Sequence, residues 1–321
     1  MVTFSVATET QLGLTWEYWK RRVAAVEAAG FAGLYLSDHF VMRGPPDLDS
    51  LDLIVALTYL ASHTQRIHFG PLVAPLSFRH PVILARQAVA LDELSNGRMI
   101  LAVGTGHIVR EHEMFGFELG DIPTRIARFH EGVEVITRLL RSGEPVNFAG
   151  RFFHLQDAML ATQPRRSGHP PILIGTQGGA RMLALAARYA DIWNTWWVSP
   201  ATFLERSTQL DEFLRAAGRQ PSAVKRTVML GLFIDHPTAN LERQVHVIRR
   251  YFPEMTNLPL ADLLTKLRQV DGCLVGTPAL LIEQLRAYVD AGAEEIILGC
   301  YDYDDDRWLR VFAEQVMPAF S

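Results

Sequence analysis

Short apolar runs with strand character alternate with longer helical patterns along almost the whole chain, and few folds accommodate that alternation. The runs are Thr3–Ala7, Gly33–Ser37, Arg66–Val73, Met99–Val103, Pro171–Gly175, Ala190–Thr195, Thr227–Ile234 and Glu294–Leu298. Most of their residues are apolar, as strands covered on both faces require. Between them, Trp16–Ala29 sets Trp16, Trp19, Val23 and Val26 on one helical face, and Thr124–Leu140 repeats Ile126, Phe129, Val133, Ile136 and Leu140 at helical spacing. Pro81–Leu94 opens on proline and stops before Ser95-Asn96-Gly97, and Gly276-Thr277-Pro278 opens a further helix. Eight such units predict a parallel α/β fold. A closed (β/α)8 barrel, the TIM-barrel form, is the economical arrangement, with a doubly wound open sheet as the alternative. Two stretches break the repeat: Glu144–Leu155 reads as a hairpin turning at Asn147-Phe148-Ala149-Gly150, and Pro237–Asp271 as helical excursions. The expectation is one domain over 1–321 with insertions near 144–155 and 237–271.

Composition removes several classes of function. With 31 basic and 35 acidic residues the formal charge is −4, and no basic run points to nucleic acid. The two cysteines, Cys273 and Cys300, form no Cys-x-x-Cys pair, and no histidine spacing matches a metal motif, so neither a disulfide framework nor a metal site is expected. No apolar run reaches the roughly 20 residues that cross a bilayer, and Met1–Val6 lacks the basic start of a signal peptide. A cytoplasmic protein with a small-molecule substrate is expected, without a nucleic-acid or membrane partner.

In a barrel, chemistry gathers on the loops after the strands' C-terminal ends. Those loops carry Asp38-His39 after the second run; Leu72-Val73-Ala74 and then Arg79-His80-Pro81 after the third; Gly104-Thr105-Gly106-His107 after the fourth; and Thr176-Gln177-Gly178-Gly179 after the fifth. Histidine exchanges protons near neutrality, and a carboxylate beside it could bond a cofactor amide or hydroxyl. The plainer reading is that Asp38 caps its loop and His39 packs against it. Thr105 and Gly106 lie on a tight turn where the backbone approaches something flat or bulky; the third glycine of a dinucleotide fingerprint is missing. Gly178 and Gly179 precede the helix Ala180–Tyr189, whose free amides suit a phosphate, although a glycine-rich turn without a ligand has the same sequence. Of the polar cluster His107, Glu111, His112 and Glu113, His107 and Glu111 are candidates, and the other two read as a solvated face. His68, inside a strand, reads as a satisfied barrel histidine. Tryptophans beyond the sixth strand are placed to wall a pocket.

Together these residues resemble the luciferase-like oxidoreductase superfamily, from Gly30 to Gly299. The resemblance is carried by Ser37-Asp38-His39-Phe40, Arg79-His80-Pro81, Leu91-Asp92-Glu93-Leu94-Ser95-Asn96-Gly97-Arg98, Gly104-Thr105-Gly106 with Glu111 and Phe115-Gly116, Pro170–Gly175, Ala187–Asp191 and Gly276-Thr277-Pro278. It implies a closed (β/α)8 barrel using FMN or the deazaflavin coenzyme F420, and Ser-Asp-His-Phe with Gly-Thr-Gly looks like the deazaflavin branch. In that branch Asp38 and His39 would line the ring, and a non-proline cis peptide within Leu72-Val73-Ala74 would form a bulge behind it. Gly178 and Gly179 would hold the phosphate. One departure stands out: sugar-phosphate dehydrogenases of the branch carry a glutamate where this chain has His107, and no compact set of lysines and arginines suits a substrate phosphate. The resemblance therefore implies hydride transfer to or from an unidentified small organic substrate, with His39 as acid or base and His107 replacing or assisting it. The alternatives are an FMN-dependent monooxygenase fed by a flavin reductase and a non-catalytic flavin-binding relative. Family members often dimerise, so a homodimer is expected.

Overall fold

The computed structural model describes every residue except 163–167, 240, 247–248, 250–254 and 304. Its strands are β1 (Thr3–Thr8), β2 (Gly33–Leu36), β3 (His68–Pro71), β4 (Ala74–Pro75), β5 (Leu101–Gly104), β6 (Val146–Ala149), β7 (His154–Ala158), β8 (Ile172–Gly175), β9 (Ile192–Trp196), β10 (Lys225–Ile234), β11 (Cys273–Gly276) and β12 (Glu295–Gly299). The main sheet runs β3-β2-β1-β12-β10-β9-β8-β5-β4, with parallel pairing throughout. Its two ends meet: Phe69 bridges Met99, Phe69 N donates to Arg98 O (3.1 Å) and Ile100 N donates to Phe69 O (2.8 Å). The sheet thus curls into a nearly closed barrel, and the open-sheet alternative falls. Helices α1 (Trp16–Ala29), α2 (Leu53–His63), α3 (Pro81–Leu94), α4 (Val109–Phe115), α5 (Ile122–Arg141), α6 (Ala180–Tyr189), α7 (Pro200–Ala216) and α8 (Leu241–His246) follow in order, then Leu260–Leu267, Pro278–Asp290 and Arg307–Gln315.

Side-chain alternation along each strand divides the core in two. Phe4, Val6, Leu34, Leu36, Leu101 and Val103 face the helices. Ala7, Tyr35, Ile100, Ala102, Leu173, Ile192, Met229 and Ile297 fill the barrel. Side chains fix where several helices begin: Thr15 accepts from Tyr18 N, Asp52 from Val55 N, Asp121 from Thr124 N and Ser199 from Thr202 N. The N-terminal end of the barrel is sealed by a buried carboxylate. Glu295 accepts from Ser5 Oγ, from Tyr35 OH (3.3 Å) and from Lys225 Nζ (2.7 Å), and lies 2.9 Å from His68 Nε2. His68 is therefore a satisfied barrel histidine.

Four details differ from the sequence expectation. The third strand is shorter than its run, covering His68–Pro71, and the cis Leu72–Val73 bond that the resemblance implied separates it from β4. The hairpin turns at Gly150–Phe153 instead of Asn147–Gly150, because Glu131 on α5 collects the amides of Arg151, Phe152 and Phe153, and Asn147 and Phe148 lie in β6. Four residues after Pro237–Asp271 form a strand that the pattern missed, β11, hidden by its length and the Gly-Thr-Pro that follows. It extends the edge left by β9: Met229 O accepts from Trp197 N (3.1 Å), and Gly231 N, two residues on, donates to Gly272 O (2.9 Å). His112, expected on a solvated face, is buried. Part of Pro237–Asp271 lies outside the described residues, and the rest includes α8 and Leu260–Leu267.

Candidate active site

At the C-terminal mouth of the barrel the inward positions of four strands carry no side chain. Counting by twos from Ala102, Leu173, Met229 and Ile297 reaches Gly104, Gly175, Gly231 and Gly299. Val73, at the cis Leu72–Val73 bond, stands against two of these positions. A Cβ on Gly104 would stand 2.5 Å from Val73 Cγ2, and one on Gly175 2.9 Å from Val73 Cγ1, so those glycines are what let the bulge seat there. Leu72 and Val73 pack against the inner core, and Ala74 is buried at the start of β4.

Asp38 and His39 follow β2 but turn to different partners. Asp38 is buried and receives both arms of Arg79, Nε to Oδ2 at 2.7 Å and Nη2 to Oδ1 at 2.8 Å. Burial pushes its carboxyl above the usual range, and the guanidinium pulls the other way. His39 does not pack on Asp38. Its Nδ1 lies 3.2 Å from each oxygen of Glu111, a fully buried carboxylate that also accepts from Phe40 N (3.3 Å). A carboxylate only accepts, so it selects the tautomer with hydrogen on Nδ1 and leaves Nε2 as the ring's acceptor. Burial lowers the His39 pKa, but the bond and charge of Glu111 outweigh it, helped by Glu9 and Asp38, and the net shift is upward. Its backbone is pinned too: His39 N donates to Thr10 Oγ1 (3.1 Å), and Thr10 Oγ1 donates to His39 O (2.9 Å).

His107 stands edge-on to His39, ring centroids 5.3 Å apart. One side of it faces an open cavity, yet desolvation by the adjoining loops and the positive field of His39, Arg43, His112 and Arg125 push it down to about 4. At neutral pH it is an uncharged donor and acceptor. Beneath it, His112 Nε2 lies 2.8 Å from Ser77 Oγ and Nδ1 2.7 Å from Ile108 O. Gly106 has φ +78°, and a Cβ there would strike Ser77 Oγ at 2.2 Å, so the turn carrying Thr105 and Gly106 admits only glycine. The Thr105 hydroxyl stays local, 3.3 Å from Gly106 O.

Across the mouth, Gly178 and Gly179 lead into α6 with φ +105° and +109°, and Thr176 Oγ1 accepts from Gly178 N (3.1 Å). No side chain caps this helix. The Gly178 and Met182 amides are engaged, by Thr176 Oγ1 and Gly179 O, and Arg206 from α7 lies over Gly178, where a Cβ would be 2.8 Å from Nε. Gln177 Nε2 donates to Trp196 O (3.4 Å), and Trp196 is 37% exposed at the end of β9. Arg181, on the first turn, is exposed.

The structure thus gathers Asp38, His39, Glu111 and His107 with the Leu72–Ala74 bulge and the Thr105-Gly106 turn, with the Thr176–Gly179 loop on a neighbouring strand end. Sequence reasoning gave no role to Arg79, Glu9, Thr10, Ser77 or Arg206. Arg79 had a signal, since it opens the helix after the third strand. Arg206 had none, because it lies mid-helix on α7.

Residues 1–295 match the family model described as luciferase-like monooxygenase. Among similar proteins, an F420-dependent glucose-6-phosphate dehydrogenase of Microbacterium testaceum is 29% identical over 91% of this chain and 90% of its own length. A 4-hydroxyprotoasukamycin monooxygenase of Streptomyces nodosus subsp. asukaensis is 29% identical over 78% of this chain and 63% of its own. Among solved structures, an F420-dependent secondary alcohol dehydrogenase in complex with an F420-acetone adduct superposes with TM-score 0.84 at 22% identity, covering all of both chains.

Proposed function

This chain belongs to the luciferase-like monooxygenase family, and from that premise we propose that it is a coenzyme F420-dependent oxidoreductase acting as a dehydrogenase or reductase on a small organic substrate. The observation that carries the proposal is the glycine-lined barrel mouth, with Val73 seated against Gly104 and Gly175, together with a histidine after β2 whose Nδ1 is held by a buried glutamate. Gly104 and Gly175 leave the room that Val73 occupies, since a Cβ on either would collide with it. Val73 would buttress one face of the deazaflavin ring, leaving the other to substrate. The Asp38–Arg79 pair would meet its polar edge, and the Gly178–Gly179 turn at the start of α6, with Arg206, would take the phosphate. F420-dependent relatives support that choice of cofactor.

When bound, the deazaflavin supplies a ring carbon that accepts or donates a hydride. His39 manages the accompanying proton. In oxidation of an alcohol, Nε2 takes the hydroxyl proton as the carbon–hydrogen bond breaks and C=O forms; in reduction it returns that proton to oxygen. Glu111 keeps the ring oriented and favours the resulting imidazolium. His107, uncharged, bonds substrate oxygen or relays the proton to solvent.

The test is a parallel titration of the protein with F420 and FMN, followed by tryptophan fluorescence. Saturable binding of F420 alone is the expected result. Binding of FMN alone would move the assignment to a monooxygenase supplied with reduced flavin by a partner reductase; a monooxygenase is among the similar proteins.

A further inference from the structure

Among the described residues no side-chain hydrogen bond fixes His107, so its place beside the His39 ring depends on the backbone that carries it. That backbone is held on both sides by one residue, His112, which is 1% exposed. His112 Nδ1 lies 2.7 Å from Ile108 O, the carbonyl of the residue directly after His107. A carbonyl only accepts, so Nδ1 carries the hydrogen, and the neutral ring presents Nε2 as an acceptor. Ser77 Oγ, 2.8 Å away, donates to it. Gly106, directly before His107, sits on that bond: a Cβ there would strike Ser77 Oγ and stand 3.3 Å from His112 Nε2. The Phe78 ring tilts against His112 at 5.4 Å and packs on Phe117 at 5.2 Å. The preceding residue on α4, Glu111, meets His39 Nδ1 and Phe40 N.

We propose that His112 is a positioning residue for the reaction: through Ile108 O and Ser77 it fixes the Gly106–Ile108 backbone and so sets His107 against His39. Consecutive residues of α4 then place the two histidines of the mouth, Glu111 by bonding the His39 ring and His112 by bonding the turn that carries His107. A buried polar ring suits that task because hydrogen bonds are directional, whereas apolar packing alone would leave the turn free to rock. This rests on the proposed oxidoreductase reading for the role of His107 in turnover, but not for the placement itself. The sequence pattern put His112 on a solvated face, because Ser77 lies 35 positions away.

The test uses full-length protein with its histidine rings labelled with carbon-13, without cofactor or substrate. The two ring signals are assigned by their loss in His107→Asn and His39→Asn, and the nuclear Overhauser effect between the rings is measured at neutral pH. A strong effect is expected in the unaltered protein. It should be lost in His112→Leu, which removes both bonds, and recover in part in His112→Asn, whose amide stands near the Nδ1 position and still donates to Ile108 O. Ser77→Ala, which removes one bond at a half-buried position, should weaken it. The Phe40 amide, bonded to Glu111, should keep its chemical shift. An intact ring contact in both His112→Leu and Ser77→Ala overturns the proposal; where His112→Leu does not fold, Ser77→Ala alone decides. Equal loss in His112→Leu and His112→Asn would assign the effect to ring volume and also overturns it. So does a Phe40 amide that moves along with the lost contact, since α4 would then have shifted as a unit. The Ser77–His112 bond is checked by urea unfolding: Ser77→Ala and His112→Asn together should cost less than the sum of each alone, and strictly additive losses would mean that the bond is absent. The expected responses in a protein that takes up FMN and not F420 would refute the deazaflavin reading and leave this assignment standing.

Discussion

Replacing Glu111 by glutamine removes the charge facing His39 Nδ1 while preserving its shape. Glu111 favours the imidazolium, so its loss should lower the His39 pKa from its raised position. If Nε2 is the base in oxidation, the rate rises with pH as His39 loses its proton, at a pH above the ordinary histidine value of about 6.5. Glu111→Gln should then move that ascending limb to lower pH, visible in a pH–rate profile and in the histidine NMR titration; an unmoved limb would detach Glu111 from the proton's path. His39→Ala should lower turnover by about 10²–10⁴-fold while leaving F420 affinity nearly intact. Equal loss of both would remove its acid–base role. His39 was legible as a candidate because histidine after the second strand lies on the reactive face. Its partner Glu111 was legible as a candidate but not as a partner, since 72 positions of chain separate the two.

At the scale of elements, the seat of the Leu72–Val73 bulge depends on missing side chains. Gly104→Ala places a methyl 2.5 Å from Val73 Cγ2 and should cost about 1–3 kcal/mol in urea unfolding, with weaker F420 binding. Adding Val73→Ala should restore part of that stability; strictly additive losses in the double-mutant cycle would mean that the two positions do not meet. The closed end offers a second test. Glu295 joins β12 to β1, β2, β3 and β10 through Ser5, Tyr35, His68 and Lys225. Burial alone would raise its pKa, but His68 and Lys225 hold it down to about 2. A carboxyl depressed on folding stabilises above its unfolded pKa, near 4.5, and loses that contribution as pH falls through about 2. Glu295→Gln should therefore cost about 1–3 kcal/mol at pH 7, and the two proteins' urea midpoints should converge towards pH 2. A gap that stays constant with pH would assign the effect to shape and not charge.

For the whole molecule, a ligand that binds only the folded barrel raises its stability by mass action. F420 at a hundredfold excess over its dissociation constant should add about 2.7 kcal/mol and raise Tm, while FMN at the same concentration leaves it unchanged. An FMN-specific rise would reverse the cofactor assignment. No described helix is long and apolar enough to cross a membrane.

The alternation of strand and helix patterns by itself determined a parallel α/β chain, because burial on both faces demands apolar strands and one-sided burial demands amphipathic helices. The same logic put candidates on the loops after the strands. Periodicity says nothing about closure, which depends on Phe69 reaching Met99 around the far side of the sheet. Nor does it show short strands such as Cys273–Gly276, whose pairing is decided by the neighbouring strand's free edge. Only the tertiary structure turned Asp38 to Arg79 and His39 to Glu111, and only it lined the mouth with glycines from four strands. These are contacts between residues far apart in the chain, fixed by how the barrel closes and invisible to any local pattern.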